Sequence, residues 1–496
     1  MATIYRQLSL QKLIFRFAPA VVVPAFLSIC SIYILSRVLE PKALGHYNLT
    51  LTVILVVQSI LFFPLDMALS RFHAIKELEN SADDLFKTVY TIVLYMNAAL
   101  IFVASIVFLT LGPTRLESMF GDMWILALPL LVLRTIVSAS QSIIRVAGHL
   151  LRFNIIECLC PTLGLMIGLF LILEFHEDNG AITGLVIGLA VGAIVDLQTP
   201  LRLFVKHATV DKKIIAEIIR FVWPLMLAAV VACGLQYADR FLVDEFSGPE
   251  AVAVYIVAFS LVDRPLSMIC LMITAGAFQK AMDVYASDGP EAARRQLGYN
   301  GAMLLAIAGP ACVGLIMSSG LIASVMVGPA IRDGLAPLIQ IMALTSLLRA
   351  MGAHYSDHTF HIPNRPFILF AIYAPLAIGN ILLCFFVVPR YGMMGAAYSA
   401  LFSQIAAMFV SWLVAKSVLP LWLPRREIAS IALSLAILAI VLMFIPVPAG
   451  WAGLIIEVIA GAGTYGAAAM LVDLGGLRSA VYRKMNLNAA KLPIAD

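Results

Sequence analysis

Residues 220–265, RFVWPLMLAAVVACGLQYADRFLVDEFSGPEAVAVYIVAFSLVDRP, decide how the rest of the chain is read. They hold two long apolar runs, and in each an acid is followed at once by an arginine: Asp239-Arg240 in the first, Asp263-Arg264 in the second. About 20 apolar residues suffice for a helix to cross hydrocarbon. An ionised side chain at mid-bilayer depth costs about 2.5–3.5 kcal/mol on insertion scales, so such pairs need partners or a function.

The same character extends over the whole chain. Of 496 residues, 62% are hydrophobic and 12% charged, against about 25% charged in a soluble domain. The apolar runs are too long and too continuous for the alternating strands of an outer-membrane barrel. The fold class is therefore all-α integral membrane, with about 14 transmembrane helices. Six spans are expected within 13–204, six within 221–416, and two at 428–446 and 452–473. The first run contains Pro19 and Pro24 and lacks a small-residue cleavage site, so it is expected to stay as a span.

Most of the 33 Lys and Arg residues fall on one side if the N-terminus is cytoplasmic. They include Arg6, Lys12 and Arg16 at the start, Lys206, Lys212, Lys213 and Arg220 in the middle, and Arg478, Arg483, Lys484 and Lys491 at the end. The positive-inside rule then gives a cytoplasmic (inner) membrane protein with both termini inside. The net charge of +4 fits anionic membrane lipid and gives no reason to invoke nucleic acid. All seven cysteines fall within spans and read as small buried hydrophobes. No loop is long enough for a folded enzyme domain, and no GxxxxGK[ST] phosphate cradle is present.

The opening stretch has an echo. Phe15-Arg16-Phe17-Ala18-Pro19 begins the first span, and Ile219-Arg220-Phe221-Val222-Trp223-Pro224 the seventh. Arg37 and Arg240 recur at matching distances, and PKALGHY at Pro41–Tyr47 is matched by PEAVAVY at Pro249–Tyr255. Six spans separate the copies, so both have one orientation. This predicts two pseudo-symmetric six-helix lobes around a central cavity, 1–205 and 206–417, with 418–496 supplying two further helices and a basic cytoplasmic tail.

With its proline-broken first helix, the opening FRFAPAVVVPAFLSICSIYILSRVLEPKALGHYNL and its counterpart RFVWPLML…YADRFLV resemble Wzx-type polysaccharide flippases of the multidrug/oligosaccharidyl-lipid/polysaccharide exporter superfamily. The resemblance implies a two-lobed bundle that alternates between inward- and outward-open states. It also implies a cargo, a polyprenyl-pyrophosphate-linked oligosaccharide carried from the cytoplasmic to the outer leaflet for surface or exopolysaccharide synthesis. Membrane lipid and other polysaccharide-assembly proteins are the implied partners. A cation-coupled exporter of drugs or small molecules shares the fold and would place more acids than arginines in its cavity. An intramembrane glycan polymerase is a further alternative, but the short outer loops disfavour it.

For such a cargo, arginine is the suited contact, because its planar fork meets phosphate oxygens in pairs. Arg134 and Arg264, central in their spans, are the first candidates; an ion pair that fixes helix packing is the alternative. Arg37 and Arg240 lie near helix ends and could hold a departing headgroup or simply snorkel to the interface. Arg349, beside His354, His358 and His361, is a candidate at the inner mouth. Asp66, Asp196, Asp239 and Asp263 are candidates for charge balance or for carrying a coupling proton or sodium ion. Asp196 has the fewest basic neighbours in its own span, while Asp263 and Arg264, about 100° apart on a helix, are expected to find partners on other helices. The three histidines share a face, but Pro363 follows and no cysteine is near, so no metal and no cofactor is expected.

Overall fold

A computed structural model describes residues 10–79, 81–205, 210–365 and 367–474. Among the basic residues behind the orientation, Arg6, Lys206, Arg478, Arg483, Lys484 and Lys491 lie outside the described residues, as do the side chains of Lys12, Phe15, Arg16 and Phe17. The expected lobe boundary at 205/206 adjoins residues 206–209, which also lie outside them.

Among the described residues all regular structure is helical, and nine helices are long and apolar enough to cross a membrane. Several are too long to be single spans. Lys212–Met317 runs for 106 residues, about 160 Å at 1.5 Å per residue against ~30 Å of hydrocarbon. Gly248 and Gly289 take positive φ within it, a conformation in which a Cβ is penalised, and so turn the chain between successive spans. Gly112 within Ala82–Phe120 and Gly392 within Phe367–Ala415 do the same, both having non-helical dihedrals. Divided there, and with the shorter apolar helix Gly180–Val195 included, the described residues hold about 14 apolar helical segments.

The elements used below are α1 (Leu10–Val38), α2 (Pro41–Leu78), α3 (Ala82–Phe120), α4 (Trp124–Val146), α5 (Leu150–Phe175) and α6 (Gly180–Val195). Next come α7 (Gln198–Val205), α8 (Lys212–Met317), α9 (Ser319–Met326), α10 (Leu335–His361), α11 (Phe367–Ala415), α12 (Arg425–Phe444) and α13 (Trp451–Leu471).

The chain forms two compact units, Met1–Ile256 and Val257–Asp496. In the first, α5 and α6 make a hairpin closed along a glycine seam. A Cβ on Gly184 would come within 2.3 Å of Gly164 O and Gly168 N, and one on Gly188 within 2.6 Å of Cys160 O. In lipid, where helices have no hydrophobic drive to associate, such backbone approach supplies the packing. The core joins α2, α3, α4 and the start of α8 through Leu65, Leu69, Val89, Val93, Ile143, Ile214 and Ile218. Thr135 Oγ donates to Asn97 Oδ1 at 2.8 Å, a buried polar link between α3 and α4.

In the second unit, Ala302 of α8 packs with Ile431 of α12 and Ala469 of α13, and Tyr465 donates to Ala306 O at 2.7 Å. Phe360, Ile372 and Ala415 make a second cluster between α10 and α11, and Ser403 donates to Asn380 Oδ1 at 2.8 Å within the α11 hairpin.

Among the described residues, two π turns interrupt otherwise regular helices: Gln58–Phe62 in α2 and Gly352–Ser356 in α10. The first lies just before Pro64, which has no N–H to give to Ile60 O and whose ring would collide with that carbonyl in a regular helix. Widening the turn relieves both.

Candidate functional site

The polar face of α4 builds the site. Arg134, Ser138, Gln141 and Arg145 follow at intervals of three and four, which places them in one row along a helix. That row lines a cavity of about 540 Å³ in the first unit, walled also by α2, α5, α6 and Pro24 of α1. Ligand cavities commonly span about 300–1,000 Å³.

Four charges face this space: Arg134 and Arg145 from α4, Asp66 from α2 and Glu157 from α5. Arg145 Nη2 lies 2.6 Å from Asp66 Oδ1. Arg134 Nε donates to Gln58 Oε1 at 2.6 Å, and Gln141 Nε2 to Glu157 Oε2 at 3.3 Å. The Arg145 and Asp66 side chains remain 36% and 26% exposed, so the pair keeps contact with the cavity. Arginines and carboxylates are balanced, and amides and serines fill the intervals. Such a lining can exchange its internal bonds for bonds to an anionic or hydroxyl-rich cargo.

A second cavity of the same unit, about 630 Å³, is lined by Glu40, Lys42, His46, Glu117, Asp122 and Asp178. Its carboxylates outnumber its cations, so it is the less suited of the two to an anion.

The remaining candidate residues lie elsewhere. Asp239 and Arg240 are buried at 6% and 4% exposure. Arg240 Nη1 donates to Thr52 Oγ1 at 2.9 Å and its guanidinium lies 4.8 Å from the Tyr237 ring centroid, while Asp239 accepts from Tyr255 Oη and, at 2.9 Å, from Arg240 N. Their network ties this part of α8 to α2. Where they meet, a Cβ on Gly45 would lie 1.9 Å from Pro249 O. Arg37 folds back on its own helix, donating to Tyr33 O at 2.7 Å with its guanidinium 3.7 Å from the Tyr33 ring centroid.

Asp196 is buried at the end of α6, 2.7 Å from Arg152 Nη2 and accepting from Thr199 Oγ1 at 2.9 Å. Its basic partner comes from α5 rather than from its own span. In the second unit Asp263 pairs with Arg349 of α10, whose guanidinium also lies over Phe259, and Arg264 is exposed. The π turn of α10 falls at His354, and the His358 ring lies 4.3 Å from that of Phe278. Among the described residues no group of three or more His, Cys, Asp and Glu could hold a metal ion.

Of the nine expected residues, Arg134 and Asp66 line the first cavity. The sequence reading placed none of Gln58, Gln141, Arg145 and Glu157 in a site. The spacing of polar residues along α4 carried a signal for Gln141 and Arg145; Gln58, on α2, and Glu157, on α5, had none beyond their polarity.

About 14 apolar helices and a charged cavity among them define a multi-pass membrane protein of transporter type. The family model for polysaccharide biosynthesis proteins matches residues 14–278, and the chain belongs to that family. No curated protein matches. Among solved structures, a lipid II flippase, MurJ, in an inward closed conformation is similar with a TM-score of 0.76 at 14% identity, covering 92% of this chain and 98% of that one. An inward-facing multidrug-resistance MATE transporter is similar with a TM-score of 0.63 at 15% identity, covering 82% of this chain and 97% of that one. A superfamily transporter from Pyrococcus furiosus gives 0.57 at 13% identity, covering 81% and 93%. At such identities the likeness is one of fold. The solved relatives are a flippase and transporters, and neither they nor the family describe an enzyme.

Proposed function

We propose that this protein is an alternating-access flippase carrying a polyprenyl-pyrophosphate-linked oligosaccharide from the cytoplasmic to the outer leaflet of the inner membrane. The observation that carries the reading is the first cavity, in which Arg134 and Arg145 face the same space. A pyrophosphate crossing hydrocarbon needs fixed donors in place of its water, and two guanidiniums on one helix face supply them. Gln58, Gln141 and the serines suit sugar hydroxyls. Asp66 holds Arg145 and Gln58 holds Arg134 while cargo is absent, and Asp66 or Glu157 could take a coupling proton or sodium ion.

The carboxylates also favour a second reading, a cation-coupled exporter of small molecules. Deleting the gene separates the two. Loss of surface polysaccharide with lipid-linked repeat units accumulating at the cytoplasmic face supports the flippase. Normal polysaccharide with altered drug sensitivity overturns it. Within the flippase reading, Arg134→Ala should fail to complement the deletion while reaching the membrane at normal levels. Full complementation would remove Arg134 from the site.

A further inference from the structure

The two arginines of the cavity are eleven residues apart on α4, and their partners, Gln58 and Asp66, eight apart on α2. On an uninterrupted helix, eleven residues bring two side chains to within about 20° of each other, whereas eight leave them about 80° apart. Two partners diverging by 80° could not both meet a row that diverges by 20°. The π turn at Gln58–Phe62 removes the mismatch. It takes one extra residue into a single turn, worth about 100° of rotation, and so returns Gln58 and Asp66 to within about 20°.

We infer that Pro64 is a positioning residue for this cavity: by holding the π turn open, it aligns Gln58 and Asp66 so that each grips one arginine. The Phe63 N–H bonds Gln58 O across five residues, and Pro64, unable to complete a regular turn onto Ile60 O, keeps the backbone from closing to four. The two guanidiniums are thereby fixed along the cavity wall before cargo arrives, which lowers the ordering cost of binding. The inference rests on the flippase reading only for its consequence in transport; the alignment itself can be tested without any glycan.

The test uses the full chain with its seven cysteines replaced, carrying either Gln58→Cys or Asp66→Cys, and reads labelling by a small water-soluble thiol reagent. With Pro64 present, both positions should label through the cavity. Pro64→Ala lets the helix close, and one of the two should lose its labelling. Deleting Ile60 in the Pro64→Ala background makes the Phe63-to-Gln58 bond a regular helical one without rotating either end, and labelling should return at both. A merely structural proline would not give rescue by deletion. Unchanged labelling at both positions in Pro64→Ala overturns the inference, and so does a deletion that restores nothing.

Complementation by the variants with native Gln58 and Asp66 should follow the same order, with Pro64→Ala falling about tenfold or more and the deletion recovering it. If labelling shifts as expected and polysaccharide export does not change, the alignment stands and the flippase reading of the cavity falls.

Discussion

Arg145 and Arg240 each have a defined partner, yet the two should respond to substitution in opposite ways. Arg145 and Asp66 are partly exposed, and a pair in that setting contributes about 0–1 kcal/mol to stability. Arg145→Gln should therefore leave thermal unfolding in detergent almost unchanged while polysaccharide export falls. Arg240, at 4% exposure, is locked to Thr52 and set against Tyr237. Removing one member of a buried charged network costs about 3–5 kcal/mol, so Arg240→Gln should unfold at clearly lower temperature and reach the membrane in reduced amount. Equal thermal shifts in the two variants would contradict this division.

The division also explains what could be read at this scale from sequence. Arg134 and Asp66 stand out because charge is rare inside apolar runs. Arg145 lies in the last turn of α4 and Glu157 near the start of α5, where charges ordinarily meet the interface, so neither was placed in a site. Arg240 drew notice for its charge, but Thr52 and Tyr255, which receive its part of the chain, are ordinary residues whose approach only the fold reveals.

At the scale of the element, the α5–α6 hairpin makes the firmest demand. Gly184 leaves no room for a side chain, since even a Cβ would lie 2.3 Å from the backbone of α5. Gly184→Val must therefore push the two helices apart and open the cavity wall to which α5 contributes Glu157 and Phe153 and α6 contributes Leu185 and Leu189. The expected result is loss of both membrane level and export. By contrast Gly320, where a Cβ would meet nothing within 4 Å, should accept Ala with little effect. The small-residue spacing of this hairpin is visible in the sequence as Gly164, Gly168, Gly180, Gly184, Gly188 and Gly192. The π turn of α2 has no such period. Only Pro64 marks it, and a proline predicts a break without saying whether the helix bends, ends or widens there.

For the whole molecule, hydropathy made the fold legible because lipid leaves so few options: every backbone group must be satisfied within its own helix, so run length alone fixes the number of spans. The turns at Gly112, Gly248, Gly289 and Gly392 divide the long helices where the apolar runs change. Side of the membrane follows from parity together with charge. The segment after α5 carries Glu177 and Asp178, whereas the one around Gly289 carries Glu291, Arg294 and Arg295. With a cytoplasmic start, five crossings place Asp178 outside and eight place Asp288 inside. The basic cluster near the second position agrees with the positive-inside rule. In the cysteine-free chain, Asp178→Cys should then react with a membrane-impermeant thiol reagent on intact cells, and Asp288→Cys only after permeabilisation. A missed or spurious span between the two would put both positions on one side, whereas an inverted chain would exchange them. The pair of labels therefore tests the helix count and the orientation separately, and the direction of the proposed transport depends on the second.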